Sequence, residues 1–269
     1  MSDSTSLLID PARLPAFLGD AAGRFNVISL AECESTNTLL MDHAADGAPS
    51  GTVVVTDRQT AGRGSRGRHW MASPEASLTF SVLWGFAGGL ERLSGLSLAV
   101  GVAVVQALEN CGASGVMLKW PNDILYGHAK LGGILVELHA DPDSAKAVIG
   151  IGLNLRLPET IGEPSVAALP AASLEQIVAT LPERHVLFAQ LLVELARAFD
   201  RFAAGGFAAL RDEWHVRHAW QDRPVRLLRE GRVEKEGVCA GADTDGALLV
   251  RTAGGLERCL SGDVSLRPL

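Results

Sequence analysis

Gly62-Arg63-Gly64-Ser65-Arg66-Gly67-Arg68-His69-Trp70 is the stretch on which the fold assignment turns. From Arg58 to Pro74 the chain carries four arginines and no acid, within a protein of net charge −7. Glycines let a backbone come close to a ligand and take positive φ. Exposed N–H groups and guanidinium forks both suit phosphate. The spacing also satisfies GxGxxG, but a dinucleotide loop must run directly into a helix. Here Pro74 follows, then Ser77–Trp84, which alternates polar and apolar as a half-buried strand does. A doubly wound nucleotide fold is therefore rejected. No GxxxxGK[ST] occurs, and the HRD and DFG sets of a kinase are absent. Three readings stay open: an anion-binding loop, a solvated flexible loop, or an arginine-glycine RNA segment. The single copy and sparse aromatics weigh against the last.

Working outward, the flanks alternate strands and helices. Asn26–Leu30 reads as a strand and Thr38–Ala45 as a helix, which Ser35, Thr36 or Asn37 can cap. Gly51–Asp57 holds Val53, Val54 and Val55, a buried-strand signal. Ser94–Asn110 predicts a helix. Its apolar part, Leu93–Leu108, falls short of the roughly 20 residues of a membrane span, so a buried core helix is expected. Val116–Trp120, Ile124–Tyr126, Lys130–Leu138 and Ala147–Asn154 predict four successive strands. Pro158–Pro170 reads as a loop, and Ser173–Ala179, Glu183–Ala203 and Phe207–Trp214 as helices. Around Trp220 the texture changes to short strands at Val225–Leu228, Val233–Ala240, Ala247–Val250 and Leu256–Leu260. Gly231, Asp245-Gly246 and Gly254-Gly255 mark their turns. The expectation is an α+β chain, with residues 1–219 forming the main domain and 220–269 a small β-barrel.

The acidic balance argues against a general nucleic-acid binder. Cys33, Cys111, Cys239 and Cys259 are widely spaced with no CxxC, so reduced thiols are expected and a zinc site is not. Met1–Asp10 lacks the pattern of a signal peptide, and a cytoplasmic protein without membrane attachment is expected.

Lys119-Trp120-Pro121-Asn122-Asp123 opens the next feature. A two-residue hairpin loop at Tyr126–Gly127 would set Asp123 directly opposite Lys130, with Cβ atoms roughly 5 Å apart. That pair reads either as a structural ion pair or as site chemistry. Leu131-Gly132-Gly133-Ile134 and Gly152-Leu153-Asn154 place glycines inside strands, where they often mark the close approach of a ligand. The arginine loop, the Asp–Lys pair and the glycine-thinned strands together suggest a phosphate-bearing small molecule lying on a sheet.

Taken in order, Gly62–Trp70, Lys119–Asp123, Lys130–Val136 with Glu137, and Gly150–Asn154 resemble the motifs of biotin–protein ligases. The likeness spans about Glu34–Leu155. It resumes over Arg223–Arg267, where Arg223-Pro224-Val225, Asp245-Gly246-Ala247-Leu248 and Ser265-Leu266-Arg267 are similar to the family's SH3-like C-terminal module. The resemblance implies a central mixed sheet with flanking helices, related to class II aminoacyl-tRNA synthetases, plus that small barrel. It implies two steps: attack of the biotin carboxylate on the α-phosphate of ATP with Mg2+, then transfer from biotinyl-5′-AMP to a lysine. The acceptor implied is a biotin carboxyl carrier domain of acetyl-CoA carboxylase or a similar carboxylase.

It further implies that Ser35, Thr36 and Gln59 bond the ureido ring, with the backbone at Gly133. Asn37, Gly62, Arg63, Gly64, Gly132 and Lys130 would complete the biotin site. Helix capping remains the alternative for Ser35 and Thr36, and core packing for Trp70. ATP and the adenylate would meet Arg63, Arg66, Arg68, Trp70, Lys119, Asn122, Lys130 and Asn154. Lys130, Asp123 and Arg68 would be catalytic, Asp123 by orienting the acceptor amine or helping to take its proton; no metal-ligating residue is implied. Ser65 stands where the family commonly has arginine, so looser retention of the adenylate is expected. About 25 residues precede the first strand, too few for the helix-turn-helix of some members, so specific DNA binding and repression are not expected. A homodimer stays open. Competing readings are a lipoate ligase, which would not normally carry this loop and barrel, and a non-catalytic sensor, which the presence of Lys130 and Asp123 disfavours. An RNA-binding module conflicts with the charge.

Overall fold

The computed structural model describes residues 7–141, 144–157, 169–229, 231–260 and 264–269. The elements in chain order are α1 (Pro15–Leu18), β1 (Asn26–Cys33), α2 (Thr36–Ala45), β2 (Thr52–Gln59), β3 (Ser77–Ala87), α3 (Leu96–Asn110), β4 (Val116–Lys119), β5 (Asp123–Tyr126), β6 (Ala129–Asp141) and β7 (Ser144–Asn154). They continue with α4 (Arg184–Gly205), α5 (Arg211–Arg217), β8 (Pro224–Arg229), β9 (Arg232–Ala242), β10 (Leu248–Thr252), β11 (Gly255–Cys259) and β12 (Val264–Pro268). The first seven strands form one sheet in the order β1-β2-β3-β7-β6-β5-β4. Only β1 and β2 run parallel, so the sheet is mixed, as expected.

Both faces of this sheet are covered, but by different means. Val53, Val55, Phe80, Val82, Ile149 and Ile151 point into the main core, which also holds the buried sides of α3 and α4. On the opposite face Val54, Leu83 and Val148 meet Leu40 and Ala44 of α2 in a small separate cluster. This two-sided burial explains the unbroken Val53-Val54-Val55 run. It also corrects the reading of Ser77–Trp84 as half-buried. Ser77, Thr79 and Ser81 occupy the α2 side of a central strand and are all buried. Further along the strands the α2 face passes from apolar residues to Ser81, Gly150, Thr79 and Gly152.

Ser35 caps α2, its hydroxyl accepting from Thr38 N, which is typically worth about 1 kcal/mol. The stretch Leu90–Asn110, which α3 and the 3-10 turn before it make up, is long and apolar enough to cross a membrane by composition, but α3 fills the core between the sheet and α4 with its side chains. Where a helix was expected at Ser173–Ala179 there is one 3-10 turn, Leu174–Gln176, closed by a Ser173/Gln176 capping box. Of the expected loop Pro158–Pro170, residues 158–168 lie outside the described residues.

The last five strands form an antiparallel sheet, β11-β10-β9-β8-β12. Strand β12, not expected as a strand from the residue pattern, pairs along β8. The module is joined to the main sheet at its β4–β5 end. Ala219 N donates to Leu118 O, and the Trp120 indole N–H donates to Gly246 O at 3.1 Å.

Candidate functional site

A cavity of about 540 Å³ opens on the part of the sheet face that α2 leaves uncovered. Its floor comprises Thr79, Gly133, Gly150 and Gly152, and one wall is the 62–70 segment. The glycines act by having no side chain. A Cβ on Gly152 would lie about 2.5 Å from Trp70 Cζ2, and one on Gly133 about 3.2 Å from Lys130 Nζ. Gly152 and Gly133 are paired across β7 and β6, so the bare patch is continuous. On it lie the Trp70 indole and the Lys130 ammonium, 5.8 Å from the ring centroid. Trp70 Nε1 and Thr79 Oγ1 are buried without a hydrogen-bond partner among the described residues, an arrangement that suits a polar ligand at this wall.

The 62–70 segment is a tight hairpin. Trp70 N bonds Gly62 O at 2.9 Å and Gly64 N bonds Arg68 O at 2.7 Å. Its tip turns at Arg66 and Gly67, with φ of 63° and 66°. The segment is therefore a hydrogen-bonded flap at the edge of the cavity, with residues 66–69 exposed to solvent. Arg68 folds back inside the flap, bonding Ser65 O and, at 3.1 Å, Ser65 Oγ. Arg63 forks onto Glu137 with its nearest approach at 2.7 Å. Arg66 does not line the cavity; it donates to Val264 O of β12.

The charged pair sits beside the floor, in a different register from that expected. The hairpin loop is Gly127–His128, with Tyr126 paired to Ala129 and positive φ at Gly127. A bulge at Leu131 shifts the ladder, so Asp123 faces Gly133 and Lys130 faces Leu125. The contact survives because Asp123 and Leu125 share a face, and the bare Gly133 lets Lys130 lie diagonally across to Asp123. Nζ to Oδ1 is 2.6 Å. Asp123 also pairs with Lys119, its cross-strand neighbour on β4. Both Lys119 and Asp123 are only about 4% exposed, whereas the Lys130 side chain is 26% exposed and lines the cavity. Lys119, expected at the nucleotide, therefore serves beneath the site rather than in it.

Burial by itself would raise the Asp123 carboxyl, but the two ammonium groups outweigh it and hold the carboxyl well below the usual range. Burial pulls the Lys119 ammonium down to about 8, against the opposing pull of Asp123. A carboxylate so stabilised is a weak base. Of the two roles expected for Asp123, orientation fits this environment better than proton removal.

At the α2 end, Ser35, Thr36, Asn37 and Gln59 line the cavity together. Gln59 Oε1 accepts from Thr36 N and Thr36 Oγ1, which leaves its amide nitrogen as a donor. Ser81 Oγ, 0% exposed, contacts Thr36 Oγ1 at 2.8 Å and Asn37 Oδ1 at 2.6 Å. Ser81 was not among the expected residues; the period-two polar face of β3 was its only signal. At the other end Asn122 Nδ2 donates to Ile134 O, and Asn154 Nδ2 to Ala172 O and Lys130 O. Both amides keep their oxygens as acceptors. Of the expected residues, Gly62, Gly132, Arg66, Lys119 and Asp123 do not line the cavity, and the other twelve do. Arg156, exposed beside Asn154, also lines it and was not expected. Among the described residues no cluster of His, Cys, Asp and Glu could hold a metal ion.

Comparison with known proteins bears on this site. Residues 30–154 match the Biotin/lipoate A/B protein ligase family, and residues 222–267 match the Biotin protein ligase C terminal domain. The chain is 36% identical to the Bifunctional ligase/repressor BirA of Salmonella typhimurium, over 90% of this chain and 74% of that protein. It is 34% identical to a Biotin--[acetyl-CoA-carboxylase] ligase of Paracoccus denitrificans, over 85% of this chain and 95% of that one. Among solved structures it is similar to a biotin protein ligase from Aquifex aeolicus in complex with biotin and ATP. There the TM-score is 0.76 and the identity 30%, covering 91% of this chain and 99% of that one.

Proposed function

The chain belongs to the biotin/lipoate A/B protein ligase family, and from that premise we propose that its cavity is where biotin is joined to AMP and then passed to a carrier lysine. The protein is a biotin protein ligase with biotin and ATP as substrates. The observation that carries the site assignment is the Lys130 ammonium. It lines the cavity at the bare Gly133–Gly152 patch, fixed by Asp123 from below.

Adenylation brings two anions together, a carboxylate and the α-phosphate. Their mutual repulsion is largest where water is excluded. A fixed ammonium beside both oxygens lowers that barrier without reorganising at the moment of reaction. Lys130 would take this role. Its ammonium is positioned by the ion pair with Asp123, which pairs in turn with Lys119. Thr36 and Gln59 would meet the ureido ring at the α2 end, held in place by Ser81. The oxygens of Asn122 and Asn154 would accept from the adenine amine. Trp70 would cover the intermediate. Mg2+ arrives with ATP as part of the substrate.

We take the acceptor to be the biotin carrier domain of acetyl-CoA carboxylase or a similar carboxylase. Support comes from the names of relatives such as the Paracoccus ligase. The test is incubation with biotin, ATP, Mg2+ and a carrier domain, read by mass spectrometry of the carrier. Exchange of pyrophosphate into ATP is measured in parallel with biotin and with lipoate. Lipoate-dependent exchange exceeding biotin-dependent exchange would reverse the substrate assignment. A separate reading, supported by the net charge of −7, is that the protein does not act as a sequence-specific repressor. A footprint on a biotin-operon promoter would refute it.

The departure at Ser65 yields a further prediction. Ser65 supplies no cation, and through its hydroxyl and carbonyl it holds Arg68 within the flap. Ser65→Arg should lengthen the half-life of bound biotinyl-AMP by about tenfold, the scale of one added charge-assisted contact of about 1.4 kcal/mol. Equal half-lives in a gel-filtration chase would discard it.

A further inference from the structure

Arg156 lines the cavity at the end away from α2. Side chains alternate faces along a strand, so Gly150, Gly152 and Asn154 of β7 share one face. The chain keeps that alternation for one more step. Leu155 is buried in the main core, and Arg156 stands on the cavity side with its side chain 52% exposed. The backbone here is fixed, because Leu155 N and Arg156 N both donate to Ala76 O, at 2.8 and 3.1 Å. The side chain is tethered loosely. Glu175, in the 3-10 turn Leu174–Gln176, approaches Arg156 Nε at 3.6 Å. That carboxylate is itself positioned by Leu157 N at 3.3 Å and Ser173 Oγ at 3.4 Å. A second guanidinium lies nearby. Arg184, which opens α4, donates Nη1 at 2.9 Å to the carbonyl of Ser77, a cavity residue. Its Nη2 is buried without a hydrogen-bond partner among the described residues. Burial lowers the Arg184 guanidinium, Asp57 opposes this, and the charge of Arg156 lowers it further. Two guanidinium groups thus concentrate positive charge at one end of the cavity, which favours a polyanion there.

We propose that Arg156 binds the pyrophosphate leaving group of ATP, which makes it a further catalytic residue of the first step. This deepens the adenylation reading and rests on it. In that step a carboxylate oxygen of biotin bonds to the α-phosphorus. The bond from that phosphorus to the oxygen bridging to the β-phosphate breaks, and its electron pair leaves with pyrophosphate. Attacking and leaving oxygens lie roughly in line. With the ureido ring at Thr36 and Gln59, the carboxylate comes from the α2 end and passes Lys130. Pyrophosphate then departs toward the opposite end, where Asn154 and Arg156 line the cavity. Negative charge grows on it as the bond breaks, and a guanidinium placed there stabilises the transition state. Transfer of the biotinyl group to the carrier lysine involves no pyrophosphate. Arg156 therefore serves adenylation alone.

The test uses the full chain and the variants Arg156→Ala, Arg156→Lys and Glu175→Gln. Biotin-dependent exchange is measured over a range of pyrophosphate concentrations. Single-turnover transfer from added biotinyl-5′-AMP to the carrier domain is measured beside it. Arg156→Ala should raise KM for pyrophosphate about tenfold, the scale of one charge-assisted contact, and leave the transfer rate unchanged. Arg156→Lys should recover part of the loss. Glu175→Gln should lower KM for pyrophosphate about twofold, because it removes an exposed opposing charge. A merely structural role would not give effects of opposite sign in the two variants. Unchanged KM in a folded Arg156→Ala protein would overturn the assignment. So would transfer slowed as much as exchange, which would place Arg156 at the adenylate instead. A wild type that shows no biotin-dependent exchange would overturn the adenylation reading and this inference with it, whereas the other failures leave that reading intact.

Discussion

Lys130→Ala is expected to slow biotin-dependent pyrophosphate exchange by about a thousandfold, the upper end of what removal of one preorganised charge-stabilising group costs. The structure explains why the loss should fall on chemistry rather than folding. Lys130 is the exposed member of a three-charge array, and its removal leaves Asp123 paired with Lys119. Biotin should still bind, because the α2 end of the cavity is untouched. Lys130→Arg is the sharper control. A guanidinium keeps the charge but replaces a point charge with a planar fork that must cross Gly133 differently. It should recover only a small part of the rate. An alanine variant within tenfold of wild type, with biotin binding intact, would remove Lys130 from the mechanism.

The largest expected effect on stability is at Asp123. Asp123→Ala leaves the Lys119 ammonium, about 4% exposed, with no carboxylate beside it. Stripping one partner from a buried ion pair typically costs about 3–5 kcal/mol. In a chain of this size that corresponds to a drop in melting temperature of roughly 10 °C. Asp123→Asn keeps the shape and should cost nearly as much, since the charge is what Lys119 requires. The pH dependence follows from the direction of the shift. The folded carboxyl titrates well below its unfolded value of about 4. The unfolded chain therefore binds the extra proton first as pH falls. The stabilisation is fully present above about pH 4 and is lost as pH drops through the folded value. Asp123→Asn should lack this component, so its acid denaturation curve should be shallower below pH 4. Equal melting temperatures for wild type and Asp123→Asn at pH 7 would show that the array is solvated rather than buried.

Much of the catalytic half was readable because its signals are local. Pro74 and the Ser77–Trp84 alternation excluded a nucleotide-fold helix after Gly67, and the glycines of β6 and β7 marked a thinned sheet. The Asp123–Lys130 contact was also anticipated, though from the wrong register. The true loop is one residue later, and the bulge at Leu131 restores a shared face. Period-two reasoning from a single strand pair cannot see a bulge, because the ladder slips only when a neighbouring strand demands it. Residues 170–172 make such a demand: Lys130 N bonds Pro170 O and Ala172 N bonds Lys130 O.

By itself the sequence determined the family, through its resemblance the mixed sheet, and, of the seventeen expected site residues, the twelve that line the cavity. Those depend on residue type at short spacing: glycines that must stay bare, and a cation next to a carboxylate. Tertiary structure alone decided what each charge touches. Lys119 and Arg66 turn away from the cavity, Arg63 is taken by Glu137, and Ser81 organises Thr36 and Asn37 from a strand far away in the chain. The physical reason is range. Backbone propensity and periodicity act over a few residues, whereas the energy of a charge is set by whichever groups the packing brings within a few ångströms. In the flap at Gly62–Trp70 those groups are Glu137 on β6, Val264 on β12 and the bare glycine patch of the sheet.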